Sequence, residues 1–223
     1  MFHARKVPVA VAAMFAAVAC ADVVRCKSPI NVDGRLDESV WKGAAFETGF
    51  SKIANLSNGK PPRVETEFAV AADDENVYFG VRCREPDMAS LRKRGAADAI
   101  WFVDGIELFF SPSGSDLDYY HFGVSCQGGL RMCSYRAEGG TIEPDPYSAP
   151  WKSAVYLGAD YWSCEVAIPF SSLYMTRTAN WKTEWLVNVA RNDRRPPCEW
   201  SSWSKLKAGA HEPSRFRDRK SVV

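Results

Sequence analysis

The chain reads as short segments in which apolar and polar residues alternate, separated by turn residues. Phe68, Val70 and Ala72 alternate with Glu67 and small residues. Asp73–Asn76 then turns the chain, and Val77, Phe79, Val81 and Cys83 repeat the period of two. That pattern predicts a β-hairpin. Ile106-Leu108-Phe110 and Tyr120-Phe122-Val124 mark the inward faces of two more strands, and Trp162-Cys164-Val166-Ile168 and Val187-Val189 those of two others. Helical periodicity is weak; Leu36–Ala44 and Pro169–Leu173 are each read as one short helical turn. Regular short strands with frequent turns predict an all-β fold, an antiparallel two-sheet β-sandwich of jelly-roll type.

If those apolar positions face a core, residues of opposite parity line the other side of the strands. That side collects Glu107, Phe109, His121, Gly123, Ser125, Glu165 and Asn188. Carboxylates, an imidazole and an amide beside small residues suit either a solvated surface or a shallow polar groove.

Residues 1–21 are set apart. Arg5 and Lys6 precede an apolar run from Val7 to Ala19, and small residues surround a cut before Asp22. This is the layout of a secretory signal peptide. Lipidation of Cys20 is the rival route. Thirteen apolar residues are too few to span a bilayer, which takes roughly 20 helical residues, and nothing later in the chain is longer. Residues 22–223 are read as one domain, exported from the cell. Eight Trp, eight Tyr and twelve Phe supply a large core, and 28 basic against 27 acidic residues leave no field for nucleic acid. Six cysteines remain after the cut, an even number that in an oxidising compartment permits up to three disulfides. Cys126 and Cys133, flanking Gly128-Gly129, are expected to pair, given a shift from the register of a two-residue turn.

The order of segments resembles the family 9 carbohydrate-binding modules, whose fold is akin to the DOMON β-sandwich. The resemblance rests on Ile30–Glu38 followed by Trp41, Asp73–Phe79, Trp101–Phe109, Tyr119–Phe122, Trp162–Phe170 and Trp185–Arg191, with Trp200 and Trp203 after them. It implies a secreted, non-catalytic sandwich, accessory to polysaccharide capture or breakdown, that grips an oligo- or polysaccharide between two tryptophans. Sugar rings present apolar C–H faces to flat aromatic rings, and carboxylates and amides take the hydroxyls. Trp101, six residues before Glu107, matches the spacing of a stacking tryptophan and a hydrogen-bonding glutamate. Trp203 is the expected second wall, with Trp200 as its rival, and Asn188, Glu165 and His121 are further expected contacts. Where sugar-binding members carry Arg and Asn, this chain has Gly123 and Ser125, so two hydrogen-bonding partners are missing.

The resemblance also implies structural calcium, for which Asp33, Asp37 and the Asp73–Asn76 cluster are candidates, although no cofactor is required. Trp41 and Trp162 are read as core, and Arg191 as pairing with an acid at its strand's end. Three other functions are weighed: a glycoside hydrolase using Glu107 and Glu165 as its carboxylate pair, a haem domain with His121 and Met132 as axial ligands, and a decayed sandwich kept as an interaction domain.

Overall fold

A computed structural model describes residues 23–93, 99–136, 147–175 and 185–219. The segment read as a signal peptide, with Cys20, lies outside them. Among the described residues, twelve strands form two sheets. The first holds β1 (Val24–Arg25), β3 (Thr66–Ala72), β4 (Asn76–Arg84), β9 (Tyr161–Pro169) and β8 (Lys152–Leu157), in the order β1-β3-β4-β9-β8. The second runs β2-β11-β10-β5-β6-β7, from β2 (Ser51–Lys52), β11 (Glu199–Ser202), β10 (Trp185–Asp193), β5 (Gly105–Ser111), β6 (Tyr119–Ser125) and β7 (Arg131–Arg136). A last strand, β12 (Arg217–Arg219), pairs with the first residues of β10. All pairs are antiparallel except β1 with β3. This is a β-sandwich.

The period-two apolar residues meet where the sheets face each other. Phe68, Phe79, Val81, Cys83, Ile106, Phe110, Phe122, Trp162, Val166, Ile168, Trp185 and Val189 share one buried cluster. Rings order its centre: Phe110 stacks on Phe79, Phe122 and Trp185 at centroid distances of 5.7, 5.7 and 5.6 Å. Each such pair adds about 0.5–1.5 kcal/mol beyond its buried area. The β3–β4 hairpin forms as its alternation requires. Asp73 Oδ1 accepts the Glu75 and Asn76 amides at 2.8 and 2.7 Å, which closes the turn without a glycine. The two expected helical turns occur at Ser39–Gly43 and Phe170–Ser172.

The cysteine expectation is corrected. No disulfide joins the described cysteines. The register sets Cys133 opposite Phe122, while Cys126 lies beyond the end of β6 in a wider turn closed by the Ser125–Leu130 hydrogen bond. Setting Cys133 opposite Cys126 instead of Phe122 would slide β7 by four residues along β6 and break most of the pairing between Tyr119–Val124 and Arg131–Arg136. Cys83 and Cys164 are sealed in the core, and burial pushes both thiols up, that of Cys83 to about 11.

Candidate sugar-binding face

Each sheet has an outer face, and the two differ. On the seven-stranded sheet, outward positions form transverse rows. Trp200, Asn192, Gly105 and Ser125 make one row, and Ser202, Ala190, Glu107, Gly123 and Met132 the next. Asn188, Phe109, His121 and Ser134 make a third. Six of the seven residues assigned to the outer side by parity, all but Glu165, therefore sit on this one surface.

Glu107 is its centre. The carboxylate is 6% exposed and bridges two rows: Oε2 is 2.7 Å from His121 Nε2, and Asn192 Nδ2 donates to Oε1 at 2.8 Å. Burial alone would raise its pKa. The His121 hydrogen bond and charge, with Asn192 and His211, outweigh burial and hold the carboxyl below the usual glutamate range. His121 is locked in turn by Phe109, whose ring stacks on it at 4.3 Å and 12°. It therefore orients Glu107 from beneath. Its Nδ1 and the cross-strand Ser134 Oγ have no protein hydrogen-bond partner.

Trp101 lies in the turn Ile100–Phe102 just before β5 and is 49% exposed. Its neighbour Ile100 is buried and turns onto the sheet. A Cβ at Gly123 would meet Ile100 Cγ1 at 3.1 Å and Met132 Cγ at 3.0 Å. The space beside Gly123 is thus filled by apolar atoms of Ile100 and Met132, which leaves no room for a longer side chain there. Ser125 Oγ is also committed, accepting the Leu130 amide at 3.0 Å.

Three expected contacts are not open to a ligand on this face. Trp203 is 2% exposed and belongs to the intersheet core, edge-on to Phe68 at 5.2 Å. It cannot stack on a ligand. Trp200 is the tryptophan of this region whose ring lies on the outer face, half-buried beneath the Arg194 guanidinium at 5.2 Å. Asn188 is fully buried and accepts the Ser204 amide at 2.8 Å through Oδ1, which pins the segment after β11.

Glu165 belongs to the other sheet. There Ile30, Leu36 and Trp41 cover the outer face of β3, β4 and β9. Glu165 receives the Asp33 and Gly34 amides at 2.8 and 2.7 Å and the Trp41 indole N–H at 2.7 Å. Burial, with Glu38 nearby, outweighs these three donors and pushes its pKa up to about 7. Gly34 is required where this segment crosses β8: φ is +86°, and a Cβ would lie 2.7 Å from Tyr156 N. Glu107 and Glu165 thus lie on opposite outsides of the sandwich and cannot form a hydrolase pair.

The oxygens of the calcium candidates Asp33 and Asp73 already accept protein hydrogen bonds. Asp73 holds two amides and, through Oδ2, the Tyr78 hydroxyl at 2.6 Å, and Asp33 Oδ1 holds the Arg35 amide. Asp37 is exposed and belongs to no group of three possible metal ligands among the described residues. Sequence reasoning missed a tighter cluster, Glu85, Asp104 and Asp193, all buried with oxygens within 4.8 Å of one another. Arginines already neutralise it. Asp193 accepts N–H donors from Arg63 and three from Arg195, which fill its lone-pair sites, and Glu85 lies 3.2 Å from Arg195 and 4.0 Å from Arg191. These donor sets do not fit a calcium ion, which needs six to eight free oxygens.

No family model matches the chain, and no curated protein matches it. Solved structures do. A family 9 carbohydrate-binding module from Caldicellulosiruptor kristjanssonii in complex with cellotriose superposes with a TM-score of 0.64 at 15% identity, over 89% of this chain and 92% of that one. The chain has the fold of the family 9 carbohydrate-binding modules. The same module with glucose gives a TM-score of 0.64 at 15% identity, covering 89% and 93% of the two chains. A putative carbohydrate-binding protein from Bacteroides uniformis gives 0.63 at 17%, over 90% and 99%.

Proposed function

We propose that this chain is a non-catalytic carbohydrate-binding module that takes its sugar on the outer face of the seven-stranded sheet. Trp101 is the stacking ring, Trp200 replaces Trp203 as the second aromatic, and Glu107 with Asn192 meets the hydroxyls. The observation that carries this reading is a half-exposed indole standing at the rim of a face whose central carboxylate is already oriented by His121 and Asn192. Preorganised acceptors and an exposed flat ring are what a pyranose requires. The cellotriose and glucose complexes of the fold neighbours support the ligand class.

The filled position at Gly123 and the committed Ser125 hydroxyl reduce the polar contacts, so affinity rests more heavily on stacking. The apolar run from Val7 to Ala19, read as a signal peptide, fits an exported accessory to polysaccharide capture. No helix among the described residues is long and apolar enough to cross a membrane. Calorimetric titration with cellotriose tests the reading. Trp101→Ala and Glu107→Gln are each expected to weaken binding at least about tenfold, about 1.4 kcal/mol. Parent-like affinity in Trp101→Ala would overturn it, and so would polysaccharide turnover that vanishes in Glu107→Gln.

A further inference from the structure

A second groove lies at the other sheet, and neither the sequence motifs nor the face around Glu107 account for it. It encloses about 440 Å³, within the range of roughly 300–1,000 Å³ of small-molecule sites. Its floor is Glu67, Arg82 and Arg84, outward positions of β3 and β4. One wall is Thr48–Phe50 and the other Pro61–Glu65.

Both walls are bolted down. Glu47 bridges to Phe68, and Phe50 inserts into the core against Phe68 at 6.2 Å, so the wall between them follows a fixed turn, with Gly49 at φ +77°. On the opposite side Arg63 donates to Asp193 at 3.0 Å and to the carbonyls of Arg195 and Pro197 at 2.5 and 2.7 Å. These contacts tie the second wall to the β10–β11 turn. The groove is therefore preorganised by groups outside it.

The floor is equipped for hydroxyls. Arg82 Nη1 donates to Glu67 at 2.5 Å, while its guanidinium lies 5.4 Å from the Phe46 ring centre and 5.8 Å from that of Tyr161. Arg84 Nη1 donates to Asp160 at 2.6 Å. Each arginine is held by one acid and keeps further N–H donors, while Glu65 and Glu67 offer acceptors. The acids cancel the two positive charges, so an anionic ligand gains no net attraction. Alternating donors and acceptors with no excess of positive charge, beside the apolar surfaces of Phe50, Pro61 and Pro62, match the hydroxyls and C–H faces of a neutral sugar.

We propose that this groove is a second saccharide-binding site, for a neutral oligosaccharide, on the sheet opposite the Trp101 face. The choice of a saccharide as occupant rests on the function proposed above; the groove itself does not. Two sites on opposite sheets would let one module hold two chains, or two stretches of one, and gain avidity without a new contact at either.

Arginine Nε–H resonances of labelled protein, titrated separately with cellotriose, xylotriose and maltotriose at millimolar concentration, test this. With at least one sugar, Arg82 and Arg84 are expected to shift saturably in the parent and equally in Trp101→Ala, and the Arg84 shift is expected to vanish in Arg82→Ala. Thermal melting of Arg82→Ala, whose side chain is partly exposed, should stay near that of the parent. No shift with any of the three sugars would overturn the second site, as would a shift lost in Trp101→Ala. Shifts of Arg82 and Arg84 alone, with Trp101 silent, would uphold this groove and sink the first reading.

Discussion

The two outer faces of the sandwich carry one buried glutamate each, at the same strand parity, and put them to opposite uses. On the five-stranded sheet, backbone amides and an indole from the N-terminal segment converge on Glu165, and the face is closed by Leu36 and Trp41. On the seven-stranded sheet Glu107 is held by side chains of its own sheet, His121 and Asn192. The first arrangement uses a carboxylate to fasten a covering segment, and burial drives its pKa up. The second braces a carboxylate from its own sheet, with its pKa held down. A carboxylate ready to accept sugar hydroxyls is the second kind, and the difference lies in which donors surround it.

Substitutions sharpen that contrast. The largest effect is expected from the tryptophans assigned to opposite environments: Trp203→Ala should cost about 3–5 kcal/mol of stability, as for large core aromatics, whereas Trp101→Ala should stay within about 0.5 kcal/mol of the parent. Urea unfolding followed by circular dichroism reads both, and equal losses would erase the distinction between core ring and ligand ring. Next comes the fastening carboxylate. Glu165→Ala strands two buried donors, the Gly34 amide and the Trp41 indole, and should cost on the order of 3 kcal/mol, at about 1–3 kcal/mol for each unsatisfied group.

Its pH dependence has a defined sign. The folded pKa, about 7, lies above the ordinary 4.5, so the folded state binds the extra proton between these values. Glu165 therefore contributes stability that is complete below pH 4.5 and lost as pH rises through 7. His211 acts oppositely over part of this window, because burial and His121 push its pKa down to about 4. The quantity to measure is thus the difference in melting temperature between parent and Glu165→Gln, which should shrink from pH 5 to pH 7.5. A constant difference would contradict a titrating Glu165. The smallest effect concerns metal: with arginines on Glu85 and Asp193, removing calcium with EDTA should leave the melting temperature unchanged, and a fall of several degrees would show that an ion belongs in the acidic cluster.

The core strands were legible in the sequence because the inward residues of β3 to β6, β9 and β10 alternate with the outward ones and, apart from Thr66, Arg191 and Asp193 at strand ends, are apolar. The short edge strands β1, β2, β8 and β12 were not, since half-exposed residues such as those of Lys152–Leu157 carry no alternation. The candidate site was legible at Trp101 and Glu107 and misread at Trp203 and Glu165. Parity tells which side of a strand a residue takes. It does not tell which sheet the strand joins, and for β9 that is decided by its distant pairing with β4, from Arg84 opposite Tyr161 to Asn76 opposite Pro169. For Trp203 the signal was present: Trp200 and Ser202 share one face of β11, and Trp203 falls on the other. Gly123 advertised a gap, but that Ile100 fills it follows from the path of a loop.

The indole N–H resonances of the tryptophans bear most directly on the sugar face. On addition of cellotriose, the Trp101 and Trp200 signals are expected to move together and saturate, while those of Trp162, Trp185 and Trp203 stay fixed. Movement of Trp203 with Trp101 unmoved, or no movement at all, would contradict it.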